Sequence, residues 1–393
     1  MKGLWKYLSP FAPDISGAVE VLFKMNGLIV IIDAGGCTGN VCGFDEPRWK
    51  SEKSAIFSAG LRDLDAILGR DEAMMKKIGD VLGVMEDPSF LALVGTPVPS
   101  VIATDYQALR RMGERKFGIT TLTMQTTGME LYDKGQERAY LELVKTYAKL
   151  GESRRQYDGT DSCVTELDAS SAEGELTESL VNSERMHMRE CECTCPETDG
   201  LLSYMRPIGI FGATPMDLLD FDTTDTIKDR AACCGGQAIV FGESVRDFEE
   251  AASFRENLVI SPSGLAAASY MEKKYGIPYT VRYPLPKGFE LAGLRQDEIE
   301  GKKILIVHQA VLAETIREKM ERVSDSVEVD TATFFMPFAK CRTLPEEDDF
   351  IKLVADGNYD IIIGDPMLRR ALRGWSGRFV ELAQFSVSGV EKQ

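Results

Sequence analysis

The sequence predicts an α/β chain of three units, each a mainly parallel sheet with flanking helices. Short apolar, β-branched runs recur along the 393 residues, and helical patterns separate them. Several of the runs end in Gly, Asp or Thr, as strand-to-helix turns do. The length is too great for one ordinary core.

The first unit, residues 1–152, carries the strand candidates "GLIVIID" (27–33), "FLALVG" (90–95) and "GITTLTMQ" (118–125). It closes with "QERAYLELVKTYAKLGE" (136–152), whose apolar residues fall at helical spacing. Residues 153–206 break the rhythm: they are polar, rich in Ser, Glu and Thr, and read as an inserted or mobile segment. The second unit, 207–300, holds "PIGIFGA" (207–213), "AIVFGE" (238–243) and "NLVISP" (257–262). The charged stretch "AGLRQDEIEGKK" (292–303) leads into a third unit, 301–393, with "KKILIVHQ" (302–309) and "YDIIIGD" (359–365).

Charge excludes one class of function. The chain has 62 acidic and 45 basic residues, a net charge of −17. A nucleic-acid binder needs a basic face to neutralise phosphates, and no Lys/Arg-rich block occurs. An acidic surface suits a partner with a basic docking face. No apolar run reaches the roughly 18 residues of a membrane span. The opening "MKGLWKYLSPFAPDISGAV" lacks the apolar stretch of a signal peptide, so a cytoplasmic protein is expected. The nine cysteines are then free thiols or metal ligands, not a disulfide framework.

The chemistry concentrates in "IDAGGCTGNVCG", directly after the first strand. This turn fits neither dinucleotide nor phosphate-loop patterns, and it lacks the lysine of the latter. Gly35, Gly36 and Gly39 let the backbone pass close to a bulky inorganic cluster, and exposed N–H groups there stabilise negative sulfur on Cys37 and Cys42. The alternative is that both thiols simply pack. Two thiolates do not complete a cubane cluster. Either other cysteines of the chain contribute, or two copies meet across a two-fold axis and supply a pair each.

A second constellation, His187, Cys191, Cys193 and Cys195 in "HMRECECTC", is a weaker metal candidate, with an exposed thiol tract as its alternative. The adjacent Cys233 and Cys234 suit packed or reactive thiols, and Cys163 and Cys341 stand alone. Hydrolytic machinery is not visible. Only His187 and His308 are available as histidine bases, and His308 ends an apolar strand, where a core role is expected.

The chain resembles nitrogenase component 1 and its relatives, the dinitrogen-reducing proteins and the nitrogenase-like tetrapyrrole reductases, dark-operative protochlorophyllide reductase among them. "IIDAGGCTGNVCG" is similar to the family's strand-turn ending "GPVGC", which places the family's cluster thiolate on Cys37. "AIFSAGLRDLDAILGRDEAMMKKI" resembles a family helix entry, and "LALVGTPVPSVIATDYQAL" the segment "CPxxLIGDDI". "TLTMQTTGMELYDKGQERAY" resembles the strand and loop that follow. "IGIFGATPMDLLD" looks like the opening strand of the second domain. "NLVISPSGLAAASYMEKKYGIPYTVRYPLPKG" matches the family's "GIP" helix-to-strand turn, and "ADGNYDIIIGDPMLRRAL" the strand and helix of the last domain.

The departures matter as much. Thr96-Pro97 stands where the family has a cluster Cys-Pro, and the family's earlier N-terminal cysteine falls near Pro10 or Phe11. Ile260-Ser261 stands where the catalytic nitrogenase subunit ligates its large cofactor. The resemblance therefore implies three Rossmann-like domains with mainly parallel sheets and a plain [4Fe-4S] cluster on Cys37 and Cys42. That cluster is shared in a homodimer or a heterodimer with a related component 1 subunit. ATP enters only through a separate nitrogenase-reductase-like ATPase that carries its own iron–sulfur cluster. The implied activity is that of the catalytic component of a two-component oxidoreductase acting on a small molecule between the three domains. Thr96, Thr214 and Ser261 are pocket candidates, although strand-end hydroxyls also serve as helix caps. Two further expectations stay open: a cluster or cofactor assembly scaffold, and a non-redox binding protein that retains the fold.

Overall fold

The computed structural model describes residues 5–41, 54–69, 71–149, 206–232 and 236–389. Cys42, Cys163, His187, Cys191, Cys193, Cys195, Cys233 and Cys234 lie outside the described residues, as does nearly all of the 153–206 segment.

The first sheet contains β1 (Leu28–Ile31), β2 (Ala55–Ser58), β3 (Leu91–Val94) and β4 (Thr121–Met124), in the order β2-β1-β3-β4. The second contains β5 (Ile208–Phe211), β6 (Ala238–Val240), β7 (Glu256–Val259) and β8 (Tyr279–Val281), in the order β6-β5-β7-β8. The third contains β9 (Lys303–Val307), β10 (Glu328–Thr333), β11 (Arg342–Thr343), β12 (Ile361–Gly364) and β13 (Arg378–Glu381), ordered β11-β10-β9-β12-β13. Every strand pairing is parallel. This is the α/β architecture that the sequence predicts.

All eight strand candidates form strands. β1, β3, β5 and β12 are buried along their full length, as strands covered on both faces must be. Five strands carry no continuous apolar run and escaped the sequence reading: β2, β8, β10, β11 and β13. Four of them are sheet edges, and β10 alternates buried and exposed residues before its buried end. The segment resembling a helix entry begins as β2 and becomes helical only afterwards.

Among the described residues, seven helices belong to the first sheet's part of the chain: α1 (Asp14–Leu22), α2 (Gly36–Gly39), α3 (Asp63–Leu68), α4 (Asp71–Leu82), α5 (Pro97–Val101), α6 (Tyr106–Phe117) and α7 (Tyr132–Tyr147). The helix expected over 136–152 is α7, which starts one turn earlier and stops sooner. α1 and α7 cross in backbone contact. A β-carbon on Gly17 would stand 1.8 Å from the Tyr132 carbonyl oxygen, and one on Gly135 would stand 1.8 Å from that of Asp14. Only residues without a side chain allow that approach.

The cores are shared between sheets. One apolar cluster runs from β1 and β3 through α1 and α7 to Phe211, Phe241 and Phe248 around the second sheet. Another joins Ile210 and Leu258 of the second sheet to Ile304, Ile306 and Ile363 of the third. The chain start is fastened to the third unit by one carboxylate: Lys6, Tyr7 and Leu8 donate their backbone N–H groups to Glu347 at 2.9, 2.8 and 2.7 Å.

Each sheet changes direction beside its first strand, so the crevices beyond the strand carboxyl ends lie between β1 and β3, β5 and β7, and β9 and β12. Such switch points are where open α/β sheets bind ligands.

Candidate functional site

The cysteine turn occupies the switch point of the first sheet. β1 ends, and Asp33, Ala34 and Gly35 lead into the single turn of α2. Gly35 adopts φ +118°, a conformation that side-chain-bearing residues rarely take. Asp33 is buried and fastens the turn. Its carboxylate accepts hydrogen bonds from Thr38 N at 2.8 Å, Thr38 Oγ1 at 2.9 Å and Ser58 Oγ at 2.6 Å. One side chain thus ties α2 to the end of β2.

Cys37 is half-buried on this turn and touches the core cluster beneath it. Burial, and then the negative charge of Asp33, push its thiol up from the ordinary cysteine value. A bare Cys37 is therefore a poor thiolate at neutral pH, and a bound metal would have to displace its proton. Among the described residues, the glycine side of the turn is open. A β-carbon built on Gly35, Gly36 or Gly39 meets nothing within 4 Å.

The donor set among the described residues is incomplete. No group of three or more His, Cys, Asp or Glu side chains there is placed to hold a metal ion. Cys341 belongs to the third unit, buried, with its thiol pushed up to about 12 by burial and by Glu314. Cys37 offers one thiol on a glycine surface, and any further metal ligand has to come from outside the described residues or from another chain.

The three hydroxyl candidates separate. Thr96 stays with the first sheet, where Oγ1 donates to Ile32 O at 2.8 Å. Thr214 and Ser261 meet on Asp217, a residue the sequence reading did not single out. Asp217 Oδ1 accepts from Tyr132 Oη at 2.8 Å and Ser261 Oγ at 3.0 Å, while Thr214 Oγ1 lies 3.3 Å from Oδ2. Gln136 Nε2 donates to Thr214 Oγ1 at 2.8 Å and to Glu20 Oε2 at 3.0 Å. The segment after β13 joins through Gln384, whose Nε2 reaches Tyr132 Oη at 3.4 Å and Ser386 Oγ at 2.9 Å. Asp217, Tyr132, Gln136 and Ser261 are fully buried. The crevice between the units is thus filled at this point by a hydrogen-bonded network. Ser261, the position matching the family's large-cofactor ligand, is engaged within it and does not fit that role.

His308 ends β9 as a core residue. Its Nε2 lies 3.3 Å from Ala383 O, Nδ1 has no protein partner, and burial pulls its pKa down to about 4, so the ring is neutral.

No protein-family model matches the chain, and no curated protein does. Among solved structures, one titled "Nitrogenase Cp1 at pH 6.5" superposes with a TM-score of 0.64, covering 98% of this chain and 87% of that one. The chain has a nitrogenase-like fold. A second structure, "Nitrogenase Cp1 at pH 5", gives a TM-score of 0.53 over 98% of this chain and 78% of its own. Sequence identities are 11% and 13%, so the likeness lies in the path of the backbone, not in shared side chains. Among the described residues, no helix is long and apolar enough to cross a membrane.

Proposed function

We propose that the chain is a nitrogenase-like oxidoreductase component. In this reading it holds a [4Fe-4S] cluster at a subunit interface through Cys37 and Cys42, accepts electrons from an ATP-dependent iron–sulfur reductase, and passes them to a small molecule. The observation that supports it most is Cys37 itself: on a glycine-lined turn, at a switch point of a nitrogenase-like fold, half-buried against the core beneath.

The surface beside that turn supports a subunit contact. α5 follows β3, and the loop of Met129 follows β4, so both lie on the strand-end edge that carries Cys37. Val101 is 85% exposed and Met129 82%, and Phe57, Val98 and Ile102 are exposed nearby. Large apolar side chains exposed together at one end of a sheet suit an interaction face. Its occupant in this reading is a second copy or a related component 1 subunit.

The bound cluster would supply low-potential one-electron relay. The chain's own residues do the rest. Asp33 holds the turn in place through Thr38 and Ser58. Gly35, Gly36 and Gly39 keep side chains away from the ligand position. The domain division at 1–152, 207–300 and 301–393, with the cytoplasm as compartment, completes the proposal. His187, Cys191, Cys193 and Cys195 remain candidates for a second metal.

Purification without oxygen, with iron and sulfide measured per chain, tests this. A cubane shared by two chains gives about two irons per chain. Cys37→Ser and Cys42→Ser should each lose that iron, and Cys341→Ser should keep it. Colourless, iron-free protein would sink the proposal in favour of a non-redox binding protein, which the filled crevice around Asp217 and the raised Cys37 thiol also favour. Iron retained without electron uptake from a reductase would point to a scaffold.

A further inference from the structure

The Asp217 network has a property that iron chemistry does not use. Tyr132 of α7, Thr214 of the loop after β5 and Ser261 at the end of β7 meet the Asp217 carboxyl group directly, and one hydrogen bond further out Gln136 links it to Glu20 of α1 and Gln384 to the segment after β13. The titratable groups that face Asp217 are Glu20 on α1 and Tyr132, Asp133 and Tyr140 on α7, each an acid. Among the described residues, no lysine, arginine or histidine pairs with it.

A buried carboxylate without a cation is costly, and more so beside other carboxylates. Thr214 Oγ1 lies 3.3 Å from Oδ2, and a hydroxyl that donates to a carboxylate there can turn to accept from a carboxylic acid. We infer that Asp217 is a neutral carboxylic acid in the folded protein and that its proton pins the three-way junction, so that losing it loosens the joint of α7 with the second and third sheets. Burial first, and then Glu20 and Asp133, oppose ionisation here, pushing Asp217 up to about 7 against the hydroxyl donors that favour it. Asp133, whose carboxylate accepts from Met336 N, is pushed up to about 6 by burial and would titrate just below it.

The direction of the pH effect follows. A carboxyl with a raised folded-state pKa binds its proton more tightly folded than unfolded. Its contribution is full below the unfolded value of 3.8 and is lost as pH rises through about 7. Within that window one linked proton multiplies the unfolding constant by up to about tenfold per pH unit.

The test compares unfolding of the full chain and Asp217→Asn from about pH 5 to about pH 8, a window set by linkage to one proton. Asn is neutral throughout, so the titrations of groups not coupled to Asp217 cancel in the ratio. The ratio of the two unfolding constants should change by up to about tenfold per unit up to about pH 7 and then level. The Asp217 component of the protonated-acid infrared carbonyl band should vanish as pH passes about 7 in the wild type and be missing from the variant, whose remaining band belongs to other acids such as Asp133. Hydrogen-exchange protection at the start of α7 and in residues 384–388 should fall with it. Parallel stability curves, or protection that does not change, would overturn the inference. Should Asp217→Asn fail to fold, Tyr132→Phe removes one donor to the ionised form and must move the midpoint upward; an unmoved midpoint overturns it equally.

Discussion

Gly17 on α1 and Tyr132 on α7 are so close that a methyl group on the first would stand 1.8 Å from the carbonyl oxygen of the second. The reciprocal contact, Gly135 against Asp14, has the same spacing. Together they let two helices lie backbone against backbone at the centre of the molecule. Gly17→Ala should force α1 and α7 apart and cost roughly 3 kcal/mol, read as a shift in denaturation midpoint. The double variant with Gly135→Ala should lose less than the sum, because the first separation makes room for the second methyl. A stability change within experimental error for Gly17→Ala would refute the close crossing.

Glu347 supplies a pH dependence of opposite sign to that of Asp217. Burial works against its charge, but the N–H groups of Lys6, Leu8 and Tyr7 outweigh burial and hold the carboxyl below its ordinary value. A depressed folded-state pKa gives stability that is present above the unfolded value of 4.5 and lost as pH falls through the folded one. Glu347→Gln should therefore destabilise the chain by about 1–3 kcal/mol at neutral pH. The difference from wild type should shrink as the pH falls below 4.5, because protonation weakens the same contacts in the wild type. A gap constant with pH would mean that the carboxylate charge does not fasten the N-terminal segment.

Asp33 makes a prediction about thiol chemistry in metal-free protein. Its charge raises the Cys37 pKa after burial does, and its three hydrogen bonds hold α2 against β2. Asn offers one acceptor in place of a carboxylate and carries no charge. Asp33→Asn should thus both free the turn and ease ionisation of Cys37, so alkylation of Cys37 should speed up several-fold. Cys341, buried in the third unit, serves as the slow internal reference in the same peptide map. Equal Cys37 rates in variant and wild type would show that Asp33 does not control the turn.

What the sequence disclosed, and what it hid, follows from burial. "LIVI", "LALV" and "IIIG" are apolar without interruption because both faces of the strand are covered, and they were legible. "RFVE" of β13 and "AIFS" of β2 are half-exposed edges, with no apolar run to read. The turn after β1 was legible because glycines following an apolar strand mark a sharp strand-to-helix turn, and Gly35 takes φ +118° there. Asp217 was not, although a signal existed. It is one acid within the apolar "PMDLL", as Glu20 is within "AVEVLF", and single polar residues at helical spacing ordinarily face water. Their burial depends on a crossing of α1 and α7 that only Gly17 and Gly135 permit, and those two glycines look unremarkable in sequence.

The exposed rim beside Cys37 gives the last prediction. Val101 lies 85% exposed on the edge that carries the cysteine turn, so a charge there costs the isolated fold little, within about 0.5 kcal/mol. At a subunit contact the same charge would be buried without a partner, which is strongly unfavourable. Val101→Glu should leave the thermal midpoint of the dissociated chain unchanged and shift its mass in sedimentation from dimer to monomer, with loss of any iron held across the contact. Met129→Glu, on the loop after β4, should act in the same direction. If wild type and both variants sediment alike, this rim is not where subunits meet.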